Sequence, residues 1–213
     1  MSPLRLSVPF VLASASPRRR HLLGKLGLSF DVLPSDADET WPEATAPGPA
    51  VEDLALRKAE AIARDRPEAL VLGADTVVVL DGEVLGKPRD ESEARATLAR
   101  LAGRSHTVYT GLALVLGDRR ATAHEATGVT FGALTEEEIL AYVATGSPMD
   151  KAGAYGIQDD LGALFVAGVE GDYFNVVGLP LHRLYRTLRQ SFGDVVRWAR
   201  SSASGAEAGG VKG

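Results

Sequence analysis

Cysteine is absent from the 213 residues of the chain. That removes disulfides, thiol nucleophiles and cysteine-ligated zinc from its possible chemistry. No run of about 18 apolar residues occurs either, so no segment reads as a membrane-spanning helix. The N-terminus shows no charged, apolar, small-residue leader, and the expectation is a cytoplasmic protein. Basic residues are outnumbered, 23 Lys and Arg against 28 Asp and Glu, for a formal net charge of −5. This balance argues against broad binding to nucleic acid, and any positive site must be local. There is no internal repeat, no Gly-x-Ser-x-Gly elbow and no His-Glu-x-x-His motif. The histidines at 21, 106, 124 and 182 lack metal-ligand spacing.

With 45% hydrophobic residues the chain can bury a sizeable core, read here as one domain over 1–201. The small, polar, glycine-rich end, 202–213, is expected to be a disordered tail. An apolar run at 8–13 reads as a buried strand handing over to a helix. Ser16 serves as N-cap, Pro17 stands at the first helical position, and Leu22, Leu23 and Leu26 share a face up to about Gly27. A short strand is expected at 29–33, then a long polar loop at 34–49 rich in proline, and a helix over 51–64. The β-branched run at 70–80 predicts the strongest strand, turned by Asp81-Gly82 into a hairpin with 83–85. Asp90 with Glu93 starts a helix that Gly103 stops, and two antiparallel strands follow at 105–116 and 121–131. Thr135 and Glu138 start another helix to about Ala144. The glycine-rich stretch 146–162, strands near 163–166 and 173–177, and a last helix from about Leu179 complete the reading. Helices alternating with strands of both kinds predict an α/β fold with a mixed sheet.

Several positions carry chemistry. The free N–H groups at the start of the first helix make a natural anion site, and Arg18 and Arg19 set two permanent cations beside it. Asp75 interrupts a strand that should be buried, and a carboxylate there must face a cation, a metal or a polar cleft. The small neighbours Gly73 and Ala74 would let a ligand approach the backbone. Gly82-Glu83-Val84-Leu85-Gly86-Lys87-Pro88 fails as a P-loop, because the glycine spacing is one short and Pro88 replaces the Ser or Thr that would reach magnesium. Lys87 remains a candidate phosphate-binding cation, whereas Lys58 taken alone is a helix lysine whose stem covers apolar surface. Asp38-Glu39 could hold a cation beside Asp75 or stand solvated. Gln158 closes Gly153-Ala154-Tyr155-Gly156-Ile157-Gln158 with an amide that donates and accepts at once, which suits a base edge.

Taken in order, eight stretches resemble the Maf-like nucleoside triphosphate pyrophosphatases across about residues 8–190. They are Leu12 through Arg19, Leu54 through Ala59, Gly73-Ala74-Asp75-Thr76-Val77 and Gly86-Lys87-Pro88. The others are Gly103-Arg104-Ser105-His106, Met149 through Gln158, Gly171-Asp172-Tyr173 and Gly178-Leu179-Pro180. The resemblance implies a Maf/ITPase-like α/β fold, a mixed twisted sheet with flanking helices and two lobes around a deep central cleft. It implies hydrolysis between the α- and β-phosphates of a nucleoside triphosphate with a divalent metal cation, magnesium or manganese, and it suggests a homodimer. Under it, Ser14, Arg19, Lys58 and Lys87 would hold the triphosphate. Asp75 would be general base or metal partner, with Glu39 the second acidic group. Arg18, Thr76 and Gln158 match the branch that acts on dTTP, UTP and modified pyrimidine nucleotides. Other roles open to the family are a nucleotide-binding regulator of septum formation with negligible turnover, and a pyrophosphatase for purine or 7-methyl-GTP substrates.

Overall fold

In the computed structural model, which describes residues 4–42, 44–159 and 161–199, the sequence's alternation of apolar runs and capped helices resolves into one mixed sheet. Chain order is β1 (Leu4–Leu6), β2 (Phe10–Leu12), α1 (Pro17–Gly24), β3 (Asp31–Val32), α2 (Pro47–Ala63), β4 (Leu70–Leu80) and β5 (Glu83–Leu85). Then come α3 (Glu91–Leu101), β6 (Ser105–Leu116), β7 (Arg119–Phe131) and α4 (Glu136–Ala144). Two 3-10 turns at Ser147–Asp150 and Ala152–Ala154 lead into α5 (Gly162–Phe165), β8 (Val166–Glu170), α6 (Tyr173–Val177), α7 (Leu181–Ser191) and β9 (Val196–Trp198). Among the described residues the main sheet has seven strands in the order β3-β2-β4-β6-β7-β8, with β5 paired to β4. Its β2–β3 and β2–β4 pairs are parallel and the others antiparallel, so the expected mixed sheet is present.

β4 runs over the residues its apolar pattern predicts, and both turn residues Asp81 and Gly82 take positive φ, the conformation a two-residue hairpin requires. Asp90 caps α3 through Glu93 N at 2.8 Å, and Thr135 with Glu138 forms a reciprocal capping box on α4. Leu12, Leu70, Leu72, Leu112 and Leu114 fill the centre of the main core, while Val11, Val71, Ala113 and Val115 point to the other face, beneath α2. That alternation is the period-2 signature of strands covered on both faces.

The elements depart from expectation in several places. The strand predicted at 8–13 is assigned only over Phe10–Leu12, although Leu70 N to Pro9 O and Ala13 N to Leu72 O continue its pairing with β4. The loop predicted through residue 49 ends earlier, because α2 starts at Pro47. Proline costs nothing in a first turn, where its missing N–H has no helical partner. The strand predicted near 163–166 is instead the short α5, and the chain turns extended only from Val166. The strand predicted at 173–177 is the helix α6: Asp172 accepts from Phe174 N at 2.8 Å, and Gly178 ends it at φ 120°. A short apolar run does not distinguish strand from helix by period, and here the caps decide. Finally, β1 pairs antiparallel with β9 in a separate two-stranded sheet that joins the two ends of the described chain. The tail expected at 202–213 lies outside the described residues.

Candidate active site

α2 lies unusually close to the sheet, and glycine is the reason. A Cβ on Gly73 would meet Ala55 O at 2.1 Å, and one on Gly111 would meet Val51 O at 2.2 Å. With only hydrogen at these two strand positions and alanine at 55 and 59, the helix backbone descends onto β4 and β6. The expectation that Gly73 and Ala74 make room for a ligand is therefore corrected. Gly73 makes room for α2, and Ala74 is fully buried in the main core.

The consequence falls on Lys58. Its side chain is 10% exposed, and Nζ lies 2.6 Å from Asp75 Oδ1 and 2.7 Å from Glu39 Oε1. The reading of Lys58 alone as a helix lysine whose stem covers apolar surface is replaced by a buried ammonium shared between two carboxylates. Arg57, the preceding residue, donates to Thr40 O at 3.0 Å and so pins the loop that carries Glu39 to the same helix. Thr40 in turn holds Asp38 Oδ1 through its N at 2.9 Å and its hydroxyl at 2.6 Å, which shapes the loop locally. The hydrogen bond from Lys58 holds the Glu39 carboxyl below its ordinary range, and the charges of Lys87 and Arg19 assist, against an opposing push from partial burial.

At the other wall, Ser16 caps α1 as expected, accepting from Arg19 N, and Ser14 accepts from Ser16 N at 3.2 Å. Arg19 reaches inward, donating from Nε to Gly178 O at 2.9 Å, from Nη1 to Ser14 Oγ at 3.3 Å and from Nη2 to Thr76 Oγ1 at 2.9 Å. Desolvation lowers its pKa from the usual guanidinium value, and the nearby Asp75 charge works in the opposite direction. Both walls line one cavity of about 320 Å³. Ser14, Arg19, Glu39, Lys58, Asp75 and Thr76 face it, and so do Arg18, Lys87 and the exposed Gln158. These nine sequence-predicted residues are thus brought to one place, whereas Asp38, expected beside Glu39 as a possible cation holder, turns instead to Thr40 and Arg57.

Residues without a predicted role are there as well. Arg18 forms a 2.9 Å ion pair with Asp150, and Lys151 Nζ contacts Asp150 Oδ1 at 2.7 Å, Ser147 O at 2.6 Å and Asp159 Oδ2 at 3.1 Å. Burial raises the Asp150 carboxyl pKa, but Lys151 and Arg18 outweigh it and leave a net lowering. Gly178 joins through its carbonyl. Asp150, Lys151 and Gly178 all stand in the stretches that carry the family resemblance, but nothing in their own spacing marks them. Their partners are far along the chain and meet them only in the fold.

Among the described residues no cluster of three or more His, Asp, Glu or Cys side chains is placed to hold a metal ion. Of the acidic side chains that line the cavity, Asp75 and Glu39 share Lys58, whereas Asp150 is paired with Arg18 and Lys151. A pair of carboxylates on one cation suits magnesium, which usually completes its octahedron with water and substrate phosphates.

A family model described as Maf-like protein matches residues 9–191. The chain is similar to the dTTP/UTP pyrophosphatase of Salinibacter ruber, 59% identical over 199 residues, covering 92% of this chain and 98% of that protein. It is likewise similar to the dTTP/UTP pyrophosphatase of Symbiobacterium thermophilum, 57% identical with 84% and 92% covered. The protein of the same name from Moorella thermoacetica is 60% identical, with 80% and 89% covered. Among solved structures, the Staphylococcus aureus Ham1 protein aligns over 58% of this chain and 71% of its own, at 15% identity and a TM-score of 0.45.

Proposed function

The chain belongs to the Maf-like family, and from that premise we infer that it is a nucleoside triphosphate pyrophosphatase acting on dTTP and UTP. The products are the nucleoside monophosphate and pyrophosphate, and the role is cleansing of the nucleotide pool, modified pyrimidine triphosphates included. The observation that carries the reading is the Asp75–Lys58–Glu39 arrangement in a cavity that also holds Arg19. Phosphoryl chemistry asks for positioning and charge neutralisation more than for a nucleophilic side chain, and this site is built of those elements.

In the proposed reaction Arg19, Lys58, Lys87 and the start of α1 with Ser14 bind the triphosphate and take up charge that develops on the leaving pyrophosphate. Asp75 is the general base. Lys58 occupies Oδ1, and no hydrogen bond among the described residues engages Oδ2, which receives the proton of the attacking water. Asp75 and Glu39 would also hold a divalent cation, magnesium or manganese, which when bound neutralises phosphate charge. At the base end, the Gln158 amide pairs with the alternating donor and acceptor edge of uracil or thymine. Arg18, fixed by Asp150, and Thr76 complete the specificity contacts. The two lobes, a cytoplasmic location and a homodimer belong to the same proposal. They rest on the family resemblance, and no described helix is long and apolar enough to cross a membrane.

A pyrophosphate-release panel tests the reading. Turnover of dTTP and UTP with magnesium should far exceed that of dATP or 7-methyl-GTP, and Asp75→Asn should abolish it while circular dichroism stays unchanged. Equal turnover of all substrates would defeat the specificity. Binding of dTTP by calorimetry with a blank pyrophosphate assay would replace the enzyme by a nucleotide-binding regulator.

A further inference from the structure

Thr110 lies opposite Thr76 in the β4–β6 ladder, is fully buried, and touches the cavity only through its neighbours. Its hydroxyl has a single hydrogen. That hydrogen goes to Asn175 O at 3.0 Å, because a carbonyl can only accept. The 2.9 Å contact between Thr76 Oγ1 and Thr110 Oγ1 must then use the Thr76 hydrogen. The direction of the whole chain follows: Arg19 Nη2 donates to Thr76, Thr76 to Thr110, and Thr110 to Asn175. Thr76 has no hydrogen left to give, and any ligand atom that reaches it meets a lone pair.

The far end of the chain is firmly held. The Asn175 amide is buried and donates to Val108 O and to Thr127 Oγ1, both at 2.9 Å. Thr127 also accepts from Asp172 N at 3.1 Å and donates to Asp172 O at 3.2 Å. Asp172 is the N-cap of α6. The C-terminal end of α6 meets Arg19 a second time, through Gly178 O and Nε. Gly178 adopts φ 120°, and a Cβ there would sit 3.6 Å from Thr76 Oγ1 and 3.9 Å from Arg19 Nε. One five-residue helix therefore addresses the guanidinium twice, directly by Gly178 at its C-cap and through the hydroxyl pair by Asn175 at its middle.

We propose that Thr110, with α6 behind it, is a positioning residue that fixes the Arg19 guanidinium in the plane needed to take up charge on the departing pyrophosphate. This rests on the reading of Arg19 as a triphosphate ligand. Thr110 touches no substrate. Its effect passes by orienting the Thr76 lone pair, so what it determines is the geometry of Arg19 and not the presence of the charge.

The experiment compares Thr110→Val with Thr110→Ser, measuring kcat and KM for dTTP and UTP together with thermal unfolding. Loss of one buried hydrogen bond on the Arg19 path should lower kcat by about tenfold or more in Thr110→Val, with KM changing less. Thr110→Ser, which keeps the hydroxyl, should restore kcat to within about threefold of the parent even where its unfolding temperature is lowered by the lost methyl. Should Thr110→Val unfold at assay temperature, Thr110→Ala replaces it in the same comparison with Thr110→Ser. Parental kcat in Thr110→Val or Thr110→Ala overturns the proposal, and so does equal loss in the serine variant. Arg19→Lys separates the layers. If it is inactive while Thr110→Val is fully active, the relay fails and the triphosphate reading stands. If Arg19→Lys retains parental kcat/KM, both fall.

Discussion

Lys58 Nζ lies 2.6 Å from Asp75 Oδ1, which joins the buried face of α2 to the middle of β4 at the point where the strand carries its single acid. The same ammonium holds Glu39, so two carboxylates that would repel share one cation.

Replacing Lys58 by Met should therefore do more than remove a charge from the triphosphate site. Pyrophosphate release should drop by about a hundredfold or more, the scale of a lost electrostatic stabiliser. The Glu39 carboxyl, held down chiefly by the Lys58 hydrogen bond, should titrate higher. In the pH–rate profile of the residual activity the acid limb moves to higher pH. An unmoved limb would show that Glu39 does not ionise with the reaction.

Gly73→Ala tests the close approach of α2. Its Cβ would fall 2.1 Å from Ala55 O, a backbone atom that cannot step aside. We expect a loss of about 2–4 kcal/mol in urea denaturation. Activity should fall further than the unfolded fraction explains, because a lifted helix carries Lys58 away from Asp75. A variant with parental stability would mean that α2 is free to shift.

Gln158→Glu probes the base end. A carboxylate accepts only, and so loses the donor half of its pairing with uracil or thymine. The kcat/KM for dTTP should fall by about tenfold, with a smaller change for guanine nucleotides. Parallel losses for both bases would remove Gln158 from the specificity contacts.

His106 sets an acid limit on stability. It is buried with Phe131 and Tyr155, its Nε2 is 2.8 Å from Tyr155 Oη, its Nδ1 has no hydrogen-bond partner among the described residues, and burial lowers its pKa from 6.5 to about 4. The folded protein keeps this imidazole neutral while the unfolded chain takes up a proton. The contribution is thus complete above pH 6.5 and is lost as pH falls from there to about 4, by about 3 kcal/mol in all. Unfolding temperatures of the parent and of His106→Gln, measured across that window, should converge as pH falls. A constant difference would rule the histidine out.

Much of the fold was legible in sequence because its signals are local. β4 with its Asp81-Gly82 turn, β6, and the caps of α1, α3 and α4 each follow from neighbouring residues. The misread α6 was a local ambiguity too, resolved by Asp172 and Gly178 at its ends. The list of site residues also came from sequence, since Asp75 is anomalous where it stands and the motif stretches keep family order. What sequence alone determined was therefore which residue types the site would contain and which elements would carry them. Tertiary structure decided how they are wired: that Lys58 is buried between Asp75 and Glu39, that Arg18 is paired with Asp150, and that Thr110 and Asn175 stand behind Arg19. Each of these joins segments far apart in the chain. A hydrogen bond depends on distance and direction in space, and periodicity and composition hold neither until α2 has settled on its glycines and the sheet has set its register.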